Sequence, residues 1–217
     1  MAMKRTDEIH RALRRDIIYG KLMQGERITE AELTRKFECS RGPVREALVH
    51  LSKEGFILLS ENKGAIVRKL SAQEVRDYYA LLEVLEGKAV QWATTQITSR
   101  DLDRLVILNN SLRELNPEDE NYLEEWCLRN SAFHEIFRNK CGNQQISWIT
   151  SEVRQRIFRY LYSSLLTSLN KEYIDDHDAI IEAVRCRDAE EARRVMEKHI
   201  SRAKDCLLRF LNQTPGM

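Results

Sequence analysis

Apolar residues recur at helical spacing along most of the chain, and apolar runs typical of strands occur just before and after position 60. The stripe of Ile9, Leu13 and Ile17 predicts a first amphipathic helix over residues 4–19. Beyond position 70, capping and turn residues divide the helical pattern into six segments with short connections. Such a series predicts an antiparallel six-helix bundle over residues 71–217.

The first seventy residues follow the order of a winged helix-turn-helix. Thr29 and Glu32 form a capping box that opens a second helix, and Ser40 can cap a third helix that Gly55 ends. The inner stripe of this third helix consists of Val44, Leu48 and Leu51. Two apolar runs, separated by the turn sequence ENKG, predict a β-hairpin. Three helices and a hairpin are the elements of a DNA-binding winged helix-turn-helix, which we assign to residues 1–70.

Start and stop signals give approximate bounds for the six helices of the bundle. The third of them is predicted to open at Asn116-Pro117, because proline is favoured in the first turn, and to end near Cys141-Gly142. The expected ranges of the other five are 71–96, 98–115, 144–166, 171–184 and 188–211. The chain is therefore expected to be mostly α-helical.

Composition and charge agree with this division of the chain. The 217 residues are 42% hydrophobic and 32% charged, with 8 Gly and 3 Pro, which excludes a disordered chain and disfavours a β-sandwich or barrel. The net charge of +1 is unevenly distributed, since residues 1–70 carry 15 Lys+Arg against 10 Asp+Glu. The basic first third suits a polyanionic partner, whereas the acidic remainder suits a different one.

Localisation and redox state follow from simple sequence features. No apolar run approaches the roughly 18 residues that span a bilayer, and the N-terminus lacks the apolar core of a signal peptide. The five cysteines are widely spaced and include no CxxC pair, so we expect reduced, mostly packing thiols. A cytoplasmic protein without membrane contact is the expectation.

The DNA-binding third resembles a known family. The string ITEAELTRKFECSRGPVREALVHLSKEGFI followed by NKGAIV is similar to the DNA-binding domain of GntR-type bacterial transcription regulators over about residues 5–70. The resemblance implies a homodimer that reads a short palindromic operator in double-stranded DNA. It implies DNA contacts by Arg41, Arg45, Lys63 and Gly64. Arginine can pair bidentately with guanine, and a wing glycine permits close approach to the backbone. The alternative is an ordinary charged helix face in which Arg41 and Arg45 pair with Glu46 or Glu38.

Three histidines and one asparagine in the bundle form a candidate metal site. Asn130 and His134 are four residues apart, so they share one helix face. His177 and His199 are each 11 residues from Asp188, at the turn between two antiparallel helices, and should lie side by side. If both pairs face one point, they suit Zn, Ni, Mn or Fe(II). Taken singly, each histidine is more ordinarily a structural or surface residue.

The bundle also resembles a family domain. The segments LLEVLEGKAVQWAT, NSAFHEIF and DDHDAIIEAVRCRDAEEARRVMEKHI are similar to the effector-binding FCD domain of the FadR subgroup of GntR regulators. In its metal-binding members an Asp, sometimes Asn, precedes a His by four residues, and two further His follow. The matching positions here are Asn130, His134, His177 and His199. The resemblance thus implies a divalent metal cofactor and an organic-acid effector.

Two positions depart from that family pattern. Neutral Asn130 replaces the usual Asp, which should weaken metal binding but strengthen attraction for an anionic effector. Leu82 stands where many members carry an Arg that grips a carboxylate. The candidate effector contacts are therefore Tyr78 and Leu82, in a less polar pocket than usual, and Arg154 on a later helix.

Other classes of function stay open at this point. The sequence contains no Gly-rich phosphate loop and no GxSxG or HExxH motif, so we expect a binding domain and not an enzyme. One alternative is a regulator whose bundle serves only for dimerisation, with structural histidines. The other is a metal-dependent hydrolase, which would need an acidic general base beside the histidines. The sequence favours a ligand-responsive transcription regulator, with repression as the expected action.

Overall fold

A computed structural model describes the backbone of residues 2–60, 64–119, 121–165 and 170–213. It also describes the side chains of these residues, with the exception of 2–4, 158–165, 170 and 213. These residues form nine helices and three short strands, which confirms the mostly helical fold class. They divide into two compact units, one ending at Ser71 and the other spanning Ala72–Gln213. None of the described helices is long and apolar enough to cross a membrane. The five cysteines form no disulfide, and Cys186 is the exposed one.

The N-terminal unit is a winged helix-turn-helix. Its elements are α1 (Ala2–Ile18), β1 (Arg27–Ile28), α2 (Glu30–Lys36), α3 (Arg41–Lys53), β2 (Ile57–Ser60) and β3 (Gly64–Val67). The sheet has the order β1-β3-β2, and both pairs are antiparallel. The hairpin of β2 and β3 was predicted from the apolar runs. The strand β1 was not, because two residues carry no periodicity.

The predicted inner stripes of α1 and α3 form the core of this unit. The stripe residues, each at most 2% exposed, are Ile9, Leu13, Ile17, Val44, Leu48 and Leu51. Burying such a side chain contributes about 1.5–3 kcal/mol. The capping box at α2 is present, with Thr29 Oγ1 accepting from the Glu32 amide at 3.2 Å. Ser40 precedes α3 as predicted, but its side chain makes no capping hydrogen bond.

The C-terminal unit is the predicted bundle of six helices. They are α4 (Ala72–Ala93), α5 (Ser99–Arg113), α6 (Tyr122–Lys140), α7 (Gln144–Leu165), α8 (Asn170–Arg185) and α9 (Ala189–Gln213). The predicted start of α6 at Asn116-Pro117 is wrong by about five residues. The Asn116 side chain accepts from the Glu118 amide at 3.2 Å, and this local turn replaces the first helical turn.

Antiparallel packing of α4, α8 and α9 positions the site. Lys204 on α9 bonds Glu83 on α4 at 2.8 Å, while Gln91, further along α4, bonds Glu190 near the start of α9. The turn between α8 and α9 contains the predicted cap, in which Asp188 accepts from the Glu191 amide at 3.0 Å. The hairpin of α8 and α9 therefore has the geometry that the sequence predicts.

Candidate metal centre and DNA-binding face

Three buried histidines meet in the core of the bundle. His134 lies on α6, His177 on α8 and His199 on α9, with exposed fractions of 1%, 0% and 3%. The ring centroids of His177 and His199 are 4.8 Å apart. The ring centroid of His134 lies 5.5 Å from that of His177 and 5.3 Å from that of His199. One nitrogen of each ring lies within 4.8 Å of the other two. The predicted convergence of the three imidazoles is therefore confirmed.

The tautomer of His177 is fixed by Asn109 of α5. The Asn109 amide nitrogen donates to the Ile174 carbonyl at 3.2 Å and to Asp178 Oδ1 at 2.7 Å, so its oxygen is left as an acceptor. That oxygen lies 3.1 Å from His177 Nδ1, which must carry the proton and donate. Stacking on Phe133, with centroids 3.9 Å apart, holds the same ring in place. The unprotonated Nε2 of His177 is thus available as a ligand.

Carboxylates stand behind the other two histidines. Asp176 Oδ2 lies 3.5 Å from His199 Nδ1, and Glu86 Oε2 lies 3.7 Å from His134 Nδ1. Both distances exceed those of good hydrogen bonds, so we treat these contacts as electrostatic orientation of the rings. Each histidine therefore has an oxygen acceptor on its Nδ1 side. For His177 the hydrogen bond of Nδ1 leaves Nε2 as the ligand atom, and the carboxylates favour the same choice in the other two.

Two of the buried imidazoles, those of His134 and His177, are uncharged at neutral pH. Burial, together with the positive charge of Arg154, lowers the pKa of His134 to about 3. Burial also lowers the pKa of His177 well below its usual value, with the neighbouring His199 and His134 contributing. Neutral imidazole is the form that binds metal ions.

Buried polar atoms without partners point to a bound group at this place. Asn130 lies one turn before His134 and is 7% exposed. Its Oδ1 has no hydrogen-bond partner among the described residues, and neither has Nε2 of His134 or His177. Such atoms are nearly always paired in native proteins. A divalent ion fits this donor set, and ligand atoms about 2.0–2.2 Å from one ion lie within about 4.4 Å of each other, so small ring movements suffice.

A largely buried cavity lies beside the histidines. Its volume is about 40 Å³. Its lining consists of Tyr79, Leu82, Trp126, Asn130, His134, Arg154, Ile157, Tyr173, His199, Ile200 and Ala203. A water needs roughly 10–15 Å³ of such volume, so this conformation accepts a molecule of few heavy atoms.

The cavity includes two of the three predicted effector contacts. Leu82 and Arg154 line it; Tyr78 is not among its lining residues, and its contact with an effector stays a prediction. Tyr79 lines the cavity, because it shares a helix face with Leu82 and Glu86 at spacings of three and four residues.

A buried charged group that the sequence did not reveal lies beside His134. Glu86 is 0% exposed, and its Oε1 accepts from Arg154 at 2.8 Å and from Arg138 at 3.1 Å. Burial alone would raise the pKa of Glu86, but the two arginines outweigh it and hold that pKa well below its usual value. Two guanidinium groups on one carboxylate leave a formal charge of +1 beside the neutral imidazoles.

The predicted DNA contacts on α3 lie on its exposed face. Arg41 and Arg45 are exposed, and Arg45 Nε bonds both oxygens of Glu30 at 2.9 Å. The pairing with Glu46 or Glu38 that we considered is not the one found for Arg45, and Glu46 accepts instead from Thr6. A surface ion pair of this kind is worth about 0–1 kcal/mol, so it can open when a stronger partner approaches.

Of the two predicted DNA contacts in the wing, Gly64 has a structural reason to be glycine. Lys63 lies outside the described residues. Gly64 is buried with φ +92°, and a Cβ there would lie 2.1 Å from the Ile28 carbonyl of β1. The pairing of β3 with β1 therefore requires glycine here, whatever its relation to DNA.

The chain joins a basic winged helix-turn-helix to a helical bundle with a buried cavity. This combination is typical of DNA-binding regulators that respond to a ligand. Models of two protein families match the chain. The description "Bacterial regulatory proteins, gntR family" matches residues 5–67, and the FCD domain matches residues 77–202. The chain belongs to the gntR family of transcription regulators and carries a C-terminal FCD domain. Members of this family are transcription regulators and not enzymes.

Similar proteins agree with this assignment. The HTH-type transcriptional repressor RspR of Escherichia coli K12 is 27% identical over 195 residues, which cover 89% of this chain and 84% of that protein. The repressor GlaR of the same organism is 29% identical over 202 residues, covering 88% and 90%. The solved structure of E. coli McbR/YncC has a TM-score of 0.78 at 19% identity, covering 94% of this chain and 97% of that one.

Proposed function

We propose that the protein is a metal-containing, effector-responsive repressor of the FadR subgroup, acting in the cytoplasm as a homodimer on a palindromic operator. The observation that carries the proposal is the set of three buried histidines with Asn130, beside a cavity in an FCD domain. Repression is supported by the similar proteins RspR and GlaR, both named as repressors.

The exposed face of α3 supports recognition of base edges by Arg41 and Arg45. Arg45 can exchange Glu30 for guanine, since a bidentate contact with O6 and N7 is stronger than an exposed ion pair. The Arg45→Ala variant should lose about 1–3 kcal/mol of binding per base contact and relax specificity at one base pair of each half-site. The control Arg76→Ala removes one exposed positive charge from the C-terminal unit and should leave specificity intact.

The operator itself is found by selecting bound duplexes from a random pool. We expect a palindromic motif, and sedimentation of the complex should give two chains per duplex. Selection that returned no palindrome would contradict the dimeric repressor.

The metal site supports binding of a small anionic effector. When bound, the divalent ion supplies a positive charge with open coordination positions for a carboxylate or hydroxyl group. Its ligands are Asn130 and the histidines at 134, 177 and 199, none of which carries a negative charge. Arg154 adds a guanidinium at the same cavity, and Glu86 is already engaged by two arginines. An anion in the cavity would therefore meet uncompensated positive charge.

Metal analysis separates this proposal from a purely structural bundle. Protein purified without a histidine tag should contain about one equivalent of a transition metal per chain, and a chelator should remove it. Removal should lower both the melting temperature and the response of operator binding to small carboxylates. If untagged protein took up no Zn, Ni, Mn or Fe, the histidines would have a structural role and the metal proposal would be wrong.

The acidic residues near the histidines do not support the hydrolase alternative. We expected no acidic partner near the histidines, but Glu86 and Asp176 do lie beside them. Glu86 is held by Arg138 and Arg154, and Asp176 accepts from Arg202 at 2.9 Å. A carboxylate engaged by arginine in this way is a poor general base.

A further inference from the structure

The ion pair between Glu30 and Arg45 joins the two helices of the helix-turn-helix. Glu30 is the first residue of α2, and Arg45 lies in the second turn of α3, 15 residues further along the chain. The capping box of Thr29 and Glu32 fixes the backbone on both sides of Glu30. The carboxylate is therefore held at a defined helix end, and it restricts the longer and more adjustable side chain of Arg45.

Both hydrogen bonds of this pair start from the same nitrogen atom. Arg45 Nε donates to Oε1 and to Oε2 of Glu30, each at 2.9 Å. A guanidinium is a planar fork of five N–H donors, so a carboxylate at Nε does not occupy the outer edge formed by Nη1 and Nη2. The two N–H groups of that edge match O6 and N7 of guanine. Arg45 can release Glu30, but it does not need to do so in order to bind a guanine.

Exposure and charge suit the pair to base recognition. The side chain of Arg45 is 57% exposed and that of Glu30 is 20% exposed, so the guanidinium is the outer of the two groups. The pair as a whole has no net charge, and attraction to phosphates requires positive charge. Its contribution to DNA binding would therefore come from contacts with bases, which carry the sequence information.

We propose that Glu30 is a positioning residue for base recognition by Arg45. It stays bonded to Nε in the complex and presents the edge of Nη1 and Nη2 to a guanine in each half-site. This inference rests on the proposed function, since it takes Arg45 as a residue that contacts bases. The carboxylate restricts the rotamers of Arg45 before DNA arrives, so less conformational entropy is lost on binding. It also reduces the attraction of Arg45 for phosphates, which disfavours DNA without the operator.

The direction of the change in Glu30→Ala tests the proposal. Loss of one negative charge from a DNA-binding unit should by itself strengthen binding to all DNA. The proposal requires the opposite for the operator, to which Glu30→Ala should bind about 2- to 12-fold more weakly, since this is what ordering one long side chain costs. Affinity for duplexes without the operator should stay the same or rise. Fluorescence anisotropy with full-length protein at one salt concentration measures both affinities.

Two further variants serve as controls. Glu30→Gln keeps an oxygen that can accept from Nε, so it should recover part of the operator affinity that Glu30→Ala loses. Glu38→Gln removes a negative charge from an exposed position between α2 and α3. Because this change affects charge alone, it should not weaken operator binding.

A double-mutant cycle assigns the effect to the pair. In an Arg45→Ala background, Glu30→Ala should no longer weaken operator binding, because no guanidinium is left to position. Selection from a random pool should also show that Glu30→Ala relaxes the same base pair of each half-site as Arg45→Ala does.

Two results would overturn the inference. Operator binding by Glu30→Ala that equals or exceeds that of the wild type would mean that Glu30 only competes with DNA for Arg45. An equal loss of affinity in the Arg45→Ala background would mean that Glu30 acts through the folding of α2. The proposed function is judged separately, because wild-type affinity and specificity in Arg45→Ala would refute the base contact itself.

Discussion

At the scale of single residues, the carboxamide of Asn109 governs the chemistry of a histidine on another helix. Its two donated hydrogen bonds fix the orientation of the amide, and its oxygen then holds the proton on Nδ1 of His177. Partners of this kind orient a metal ligand and raise its basicity. The ligand property of His177 thus depends on a residue of α5.

The first prediction concerns this partner. Asn109→Leu removes the acceptor and frees the His177 ring to rotate and change tautomer, so zinc affinity should fall about 10–100-fold. Asn110→Leu makes the same change at the adjacent exposed position and should leave the affinity unaltered. Competition with a chromogenic chelator measures both variants. Equal zinc affinity in Asn109→Leu and wild type would show that the tautomer is fixed in another way.

The second prediction concerns charge among the metal ligands. Asn130→Asp keeps the shape of the side chain and adds a negative charge beside the ion, so metal should bind more tightly. An anionic effector should bind less tightly to each metal-loaded site, for the same electrostatic reason. Calorimetry measures both affinities. Asn139→Asp, an exposed position on the same helix, is the control, and an Asn130→Asp protein with wild-type affinities would remove Asn130 from the site.

Single residues also mark how far the sequence could predict the site. Spacing was sufficient to place His177 beside His199, because a helical hairpin aligns positions at equal distances from its turn. The approach of His134 to the same point was a condition at the sequence level, which the family resemblance supported. Asn109 and Glu86 were not predicted, since each meets its partners more than 40 residues away along the chain. No local pattern encodes such a tertiary contact.

At the scale of elements, local hydrogen bonds decided which boundaries were predictable. The caps at Thr29 and Thr98 are complete capping boxes. The helix α2 begins where its capping box predicts, and α5 begins at Ser99, within one residue of the expected range. The predicted start of α6 was wrong because the Asn116 side chain forms a local turn that competes with a helix. The strand β1 was missed because its signal is its pairing with β3, which no short sequence window contains.

The third prediction tests the pairing of β1 with β3. Gly64→Ala places a methyl group against the Ile28 carbonyl at a positive φ, so the free energy of unfolding of the N-terminal unit should fall by more than about 1 kcal/mol. The matched control is Gly42→Ala on α3, where nothing lies within 4 Å of the added Cβ and helix propensity favours alanine. Thermal unfolding followed by circular dichroism compares the two. An unchanged Gly64→Ala transition would argue against this pairing.

At the scale of the whole molecule, the two units carry opposite net charge. Residues 1–70 have 15 Lys+Arg and 10 Asp+Glu, whereas the whole chain has 35 and 34. The remainder therefore has 20 positive and 24 negative side chains. Positive charge is thus concentrated in the part of the chain that carries the DNA-binding helix, which favours association with DNA through that part.

The fourth prediction concerns the connection of the two units. Only residues 68–71 separate β3 from α4, and they contain no Gly/Ser-rich stretch. A flexible Gly-Ser insertion after Lys69 should preserve operator binding but abolish its response to effector, because movement at the start of α4 would no longer reach the wing. The same stretch appended after Met217 is the control. Fluorescence anisotropy with labelled operator and added small carboxylates measures the response, and a retained response would refute this coupling.

The spread of the three histidines along the chain has a consequence for biosynthesis. His134 leaves the ribosome ahead of His199 by about 3 to 13 seconds, at roughly 5–20 residues per second. A nascent chain that ends within α8 has at most two of the three imidazoles, because the third lies on α9. On the proposed function, stable uptake of the ion would follow translation of α9, so a chain broken off earlier would not acquire it. Metal content would in that way distinguish finished repressor molecules from incomplete ones inside the cell.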